Sequence, residues 1–325
     1  MTAPRSKGAR AWPRITAGVL ALGFLVALAL PAVVSTYYVR IVTGIFLFGA
    51  LASAWNLIGG HAGYPDFGAA AFLGLGAYTT GILMVDLHAP LPAALAAAGL
   101  LAGAAAVGMG AALLRLRGHY FAIATLGFML VLQQLAANLE VTGGGSGMNL
   151  PVARSFTGFY YWMLGVLVAA VAVGWLVPRT RAGYALAAIR ENQDAARVLG
   201  IAPLRYKILA YASSACFWGI VGGLYADWFT FIDPPTVFDL DFSIQAIVMT
   251  LFGGPATVLG PLAGAIVLKS LDTVLTNVSV FLHNVFFGGL VCVLVIFAPR
   301  GLAELVGGRG RIADTVRTTL RESRL

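Results

Sequence analysis

The residues able to recognise a charge or a partner are few and clustered. The run Arg181–Lys207, RAGYALAAIRENQDAARVLGIAPLRYK, is the one long polar stretch in an otherwise apolar chain. With Arg179 it holds six cations, and Glu191 and Asp194 lie among them. Asn192 is a good helix N-cap, because its side-chain oxygen can accept from an orphan backbone N–H. Asp194 then falls in the first turn, where the helix dipole favours an anion. Gly200 can take the left-handed conformation that ends a helix. Asp194 and Arg197 sit three apart and can pair on the exposed side, for about 0.2–0.5 kcal/mol. The pattern predicts a capped helix of about two turns, with Ala195, Ala196, Val198 and Leu199 as its small or apolar positions. A helix this short is marginal alone in water. The spacing therefore points to a docking surface, the alternative being a solvated loop.

The other chemically capable groups are scattered. Lys269 and Asp272 lie three apart inside an apolar run, so they can pair on one helix face. Ionisable groups in a membrane span are costly and often functional; a self-neutralised structural pair is favoured here over a substrate contact. Asp66 is open to two readings, a hydrated interfacial carboxylate or a pathway group. No metal-ligand spacing joins His61, His88, His119 and His283, and Cys216 and Cys292 lie in apolar runs without a disulfide framework. The glycine-rich run EVTGGGSGMNLP, residues 140–151, invites a phosphate-loop reading. That loop needs Gly-Lys-Ser/Thr, and none of the three lysines, Lys7, Lys207 and Lys269, follows a glycine. No catalytic residue, metal or cofactor is assigned.

These residues must be positioned by membrane helices. The 325-residue chain is 59% hydrophobic and only 10% charged, whereas soluble domains carry roughly 25% charge. Apolar runs at Ile15–Val34, Arg40–Ile58, Ala69–Val85, Leu91–Leu114, Tyr120–Ala137, Tyr160–Val177, Ile208–Phe229 and Phe281–Ala298 predict spans. A shorter run, Phe242–Phe252, and a further run around Lys269 bring the number to about ten. Glycine and proline break the pattern at Gly59–Gly68 and again at Gly253–Gly254. The order of GG, G and GA after each break suggests a weak internal repeat, chance in a chain with 40 glycines being the alternative. Broken helices in transporters often line the substrate path, which nominates Gly59, Gly60, Gly63, Asp66, Gly68, Gly253 and Gly254. Gly219 and Gly223 form a G-x-x-x-G pair suited to close helix contact.

The net charge of +8 does not indicate nucleic acid, because its distribution is that of a topology signal. With the N-terminus inside, the inner segments carry eighteen cations and the outer ones carry Arg40 and Arg154. This places the 178–207 loop and both termini in the cytoplasm. The expected organisation is a basic head at 1–14, a permease domain at 15–300 and a basic tail at 301–325.

Asp194-Ala195-Ala196, three residues and then Gly200 resembles the acidic-Ala-Ala-x-x-x-Gly signature of ABC importer permeases. The wider run AIRENQDAARVLGI, followed by Tyr206-Lys207, resembles the permeases for branched-chain amino acids, of the M-type rather than the H-type subunit. GGHAGYPDFGAAAFLGLGAYTTGIL resembles the G-x-A-G…G-x-x-x-F…G-A-Y block of that family, with Pro65-Asp66 replacing the small polar pair expected there. RLRGHYFAIATLGF is similar too, with His119 where an acidic residue is common. The TGGG loop resembles an outer-side loop of the family. The likeness covers roughly Leu51 to Arg300.

The resemblance implies an all-α inner-membrane permease that carries no ATPase itself. Its implied partners are a second permease subunit in a heterodimer, two ATP-binding cassette subunits and an extracytoplasmic substrate-binding protein. Arg190, Glu191, Asp194, Ala195, Ala196 and Gly200 would form the coupling helix against an ATPase. Urea, amides or other small polar solutes are alternative substrates. The rival outside this class is a stand-alone transporter using Lys269, Asp272 and Asp66 as ion or proton groups; an integral membrane enzyme finds no nucleophile–base pair or metal cluster to support it.

Overall fold

A computed structural model describes residue 23 and residues 27–151, 156–278 and 288–289. The first expected span lies largely outside the described residues, although residues 27–33 are helical. The run Phe281–Ala298 and the basic tail also lie outside them.

The described residues form helices α1 (Thr36–Ile58), α2 (Ala70–Val85), α3 (Leu91–Leu113), α4 (His119–Asn138), α5 (Phe156–Leu176), α6 (Arg181–Glu191), α7 (Gln193–Val198), α8 (Pro203–Phe229), α9 (Pro234–Val237), α10 (Leu240–Gly253) and α11 (Gly260–Val278). Among the described residues six stretches are long and apolar enough to cross a membrane: α1, α3, α4, Phe156–Arg179, α8 and Pro234–Gly253. Helix α2 is apolar but shorter. At 1.5 Å per residue, α1 with 23 residues reaches about 35 Å, more than the roughly 30 Å hydrocarbon layer. The fold is thus that of an all-α membrane protein. One two-residue antiparallel pair is added, β1 (Met148–Asn149) with β2 (Phe231–Ile232). It ties the glycine-rich 140–151 segment to the end of α8.

Small residues set the packing. Helix α8 lies at backbone contact with both α2 and α3. A Cβ on Gly222 would stand 2.0 Å from the Leu73 carbonyl oxygen, and one on Gly219 2.7 Å from that of Ala98. Gly219 and Gly223 therefore do serve close contact, as their spacing predicts. Helix α1 is the most enclosed span, packed by α5, α8, α10 and α11. Helix α4 is the least enclosed and exposes Tyr120, Ile123, Leu130, Val131 and Leu135. Apolar residues on such a face are solvated by lipid without cost.

Two helix boundaries depart from the sequence expectation. The seventh span begins at Pro203 rather than Ile208, because proline suits the first helical position. Lys207 thereby becomes part of a helix. The polar island also contains a second, longer helix, α6, whose N-cap Thr180 accepts a hydrogen bond from the Gly183 N–H.

Candidate functional site: a junction between the polar island and the broken loops

The expected short helix is present as α7. Asn192 Oδ1 accepts from the N–H groups of Asp194 and Ala195, both at 3.0 Å. Gly200 closes it at φ +82°, with its own N–H donating to the Arg197 carbonyl and that of Ile201 to the Ala196 carbonyl. Ala196 is buried and Ala195 exposed. Val198 and Leu199 are 88% and 78% exposed, so the apolar side of α7 has no cover among the described residues.

Asp194 pairs with Arg197 at 3.2 Å, as the spacing predicts. A second partner escaped sequence reasoning. Arg117, in the turn after α3, grips Asp194 with two parallel bonds of 2.8 and 2.9 Å. That bidentate bond, more than the Arg197 charge, holds the Asp194 carboxyl below the ordinary aspartate range. The pairs are exposed, so salt screens them and they contribute little on their own. Glu191 is exposed and meets Arg190 only at 3.7 Å.

Arg190, though exposed, reaches the first broken loop. Its guanidinium donates to the Gly60 carbonyl oxygen at 3.1 Å, and its side chain lies so close over Gly63 that a Cβ there would stand 2.8 Å from Cγ. Gly63 is also left-handed, at φ +73°. The structure thus brings together two groups of residues that the sequence nominated separately. Arg190 belongs to the island; Gly60 and Gly63 belong to the first broken loop.

The broken loops meet each other as well. Asn56, near the end of α1, donates from Nδ2 to the Thr257 carbonyl at 2.9 Å and accepts at Oδ1 from the Ala256 N–H at 2.8 Å. Ala256 stands at φ +59°, a conformation costly for a residue with a Cβ and held only by its surroundings. Gly60 lies directly beneath, where a Cβ would come within 2.7 Å of that same N–H. Gly59 packs on the Trp55 ring, Gly68 on the Thr125 carbonyl and Gly253 on the Gly260 carbonyl. Gly254 is left-handed at φ 111°.

Asp66 is 1% exposed, and its Oδ1 accepts from the Gly68 N–H at 3.0 Å. The hydrated interfacial reading of Asp66 is therefore corrected: the carboxylate is enclosed, with the Gly68 N–H on Oδ1 and the Thr125 side chain of α4 beside it. The Asp66 carbonyl also accepts from Trp55 Nε1 at 2.7 Å. His61, in the same loop, is buried, and burial followed by the Arg190 charge pushes it down to about 4.

Between island and loop lies a cluster that sequence reasoning missed. Lys207 is 2% exposed. Its ammonium donates to the Leu114 carbonyl at 2.5 Å, to the Tyr64 hydroxyl at 2.9 Å and to Gln193 Oε1 at 3.2 Å. Tyr64 donates in turn to the same Gln193 oxygen. The available signal was rarity, since Lys207 is one of three lysines and closes a polar run against an apolar one.

Lys269 and Asp272 pair on one face of α11, as expected. Among the described residues no group of three His, Cys, Asp or Glu side chains could hold a metal.

The family described as branched-chain amino acid transport system / permease component matches residues 37–298. The high-affinity branched-chain amino acid transport system permease protein LivM of Salmonella typhimurium is 28% identical, over 86% of this chain and 73% of its own length. Its Escherichia coli counterpart is 29% identical over the same shares. The L-arabinose ABC transporter permease protein AraH of Azospirillum brasilense is 29% identical over 54% of this chain and 55% of its own length. No solved structure matches the chain significantly.

Proposed function

The chain belongs to the family of branched-chain amino acid transport system permease components, and from that premise we propose that it is the membrane-spanning subunit of an ABC importer for branched-chain amino acids. It works with a second permease subunit, two ATP-binding cassette subunits and an extracytoplasmic binding protein, in the inner (plasma) membrane. The full chain crosses about ten times, with the head 1–14, the 178–207 loop and the tail 301–325 in the cytoplasm and the permease domain at 15–300 between head and tail.

One observation carries the coupling role. Helix α7 is capped at both ends, rests on the permease through Ala196 and leaves Val198 and Leu199 uncovered beside Asp194. A two-turn helix with an uncovered apolar side is completed by a partner, and an ATPase subunit on the cytoplasmic side is that partner. Glu191, Asp194, Ala195 and Gly200 lie at the docking face. Arg190 ties the end of α6 to the Gly59–Gly68 loop. ATP binding draws the ATPase subunits together, α7 shifts, and the bundle changes the side on which its path is open. The path runs beside Gly59–Gly68 and Gly253–Gly254. Among the described residues the ion pairs other than Lys269–Asp272 lie on the polar island and the Arg117 turn, so none stands on the path for the two charges of an amino acid, and selectivity resides in the binding protein.

The test is co-purification and uptake with Asp194→Lys and Gly200→Leu. Both variants are expected to fold, to lose the ATPase subunits and to lose uptake. Retention of ATPase and uptake in both would overturn the reading. The likeness to AraH, a permease named for L-arabinose, favours one second reading, an importer for another small polar solute; competition of uptake by leucine against sugars, urea and amides separates the two.

A further inference from the structure

We propose that Lys207 is a positioning residue that makes the coupling segment and the Gly59–Gly68 loop move as one piece. The inference rests on the reading of α7 as the ATPase-docking helix, and goes beyond it by naming the link behind the docking face.

The three oxygens around the Lys207 ammonium come from three separate elements. Gln193 is the first residue of α7, Tyr64 lies in the broken loop, and Leu114 ends α3. The ammonium also lies 4.2 Å from the centre of the Tyr64 ring. Gln193 Oε1 accepts from both Lys207 and Tyr64, so each of the three side chains bonds the other two. Among the described residues these partners are neutral oxygens, with no carboxylate to neutralise the charge.

An ammonium this enclosed depends on its hydrogen bonds, because removing a charge from water without partners is far costlier than removing a neutral group. Helix α7 therefore cannot leave Tyr64 while Lys207 stays dry. Either the loop follows α7 or water must enter. The other ties across the junction are softer. The Arg190 side chain is 39% exposed and that of Arg117 52%, so water replaces their bonds readily. Lys207 is the link that transmits displacement, and the exposed ion pairs around α7 set its orientation.

The test uses the complete transporter in proteoliposomes, with binding protein and leucine, reading leucine moved per ATP hydrolysed. That ratio is unaffected by how much complex assembles. Lys207→Met keeps the length of the side chain and removes the charge. Tyr64→Phe removes one hydroxyl and keeps the ring. We expect the ATPase subunits to co-purify with both variants, since the docking face is untouched. The ratio should fall at least tenfold in Lys207→Met and severalfold in Tyr64→Phe. If Lys207→Met does not accumulate, Tyr64→Phe decides alone. A wild-type ratio in the variants that assemble overturns the proposal. So does loss of the ATPase subunits from Lys207→Met with Tyr64→Phe normal, because Lys207 would then only shape the docking face. Failure of the docking reading itself looks different: the ATPase subunits would stay on Asp194→Lys.

Discussion

Two lysines of this chain lie within helices, each over an aromatic ring, and they are held in opposite ways. Lys269 stands 4.5 Å from the Phe48 ring centre and pairs with Asp272, one turn along its own helix. Lys207 stands 4.2 Å from the Tyr64 ring and bonds to neutral oxygens of three elements far apart in sequence. The first pair is local: its charge is cancelled within one turn of α11, where Thr276 also donates to Asp272. The second is shared, and it exists only while the loop, the end of α3 and α7 hold one arrangement. A local pair can be removed as a unit, whereas a shared one cannot be touched without disturbing every element it joins.

The largest expected effect tests the first half of this contrast. Lys269→Met leaves a buried carboxylate without its countercharge, and breaking such a pair typically costs about 3–5 kcal/mol. The double variant Lys269→Met/Asp272→Leu removes both charges and should recover most of that loss, together with uptake. Thermal unfolding in detergent and leucine uptake measure the two. A double variant that is stable but unable to transport would make the pair functional and revive the ion-coupled rival.

The next effect tests the shared arrangement. Gly60→Ala places a methyl within 2.7 Å of the Ala256 N–H and against Asn56, so it must break the Asn56 bridge between the two broken loops. Overpacking of this kind costs about 1–3 kcal/mol. Because Gly60 also supports Arg190, Gly60→Ala and Lys207→Met should be non-additive by at least about 0.5 kcal/mol. Gly60→Ala combined with the Lys269/Asp272 double variant should be additive. Equal coupling in both combinations would erase the distinction between local and shared lysines.

What was legible in the sequence divides along the same line. Local features are readable: the Asn192 cap and the Asp194–Arg197 and Lys269–Asp272 pairs three apart. Each depends on residues within about one helical turn, and periodicity reports such neighbours directly. The partners of Asp194, Arg190 and Lys207 across the junction were not readable. Arg117 lies 77 positions from Asp194, and Tyr64 lies 143 from Lys207. Nothing in local spacing encodes those meetings. Asp66 was misjudged in one of its two readings for a related reason. Its carboxylate is met by Gly68 and by Thr125, which lies 59 positions away on α4, and residue type alone points to water.

A smaller effect is expected at the cap of α7. Asn192→Ala removes the acceptor of two backbone N–H groups and should cost about 1 kcal/mol. The loss should show as faster backbone exchange over residues 193–198, with α6 and α11 unchanged. If exchange also quickens at Tyr64 and Lys207, α7 and the loop open together, as a shared lysine requires.

The smallest effect is a dependence on pH, and it separates two groups at the junction. Asp194 is held below the ordinary aspartate range by Arg117. Its contribution is complete above that range and is lost only as pH falls through its lowered value, so it is constant at neutral and mildly acidic pH. His61 is pushed down from 6.5 to about 4 by burial and by Arg190. Below pH 6.5 the unfolded chain takes up a proton that folded His61 refuses, so stability falls as pH drops from about 6.5 towards 4. Buried Asp66, raised to about 7 in the same loop, acts with the opposite sign over this window, so the His61 share is read as the difference in thermal unfolding between His61→Asn and the unaltered protein. That difference should grow in favour of His61→Asn between pH 7 and 4.5, while Asp194→Asn should follow the unaltered profile. The same difference should be found on the background of the Lys269/Asp272 double variant, because a pair on α11 is distant from a buried histidine beside Arg190.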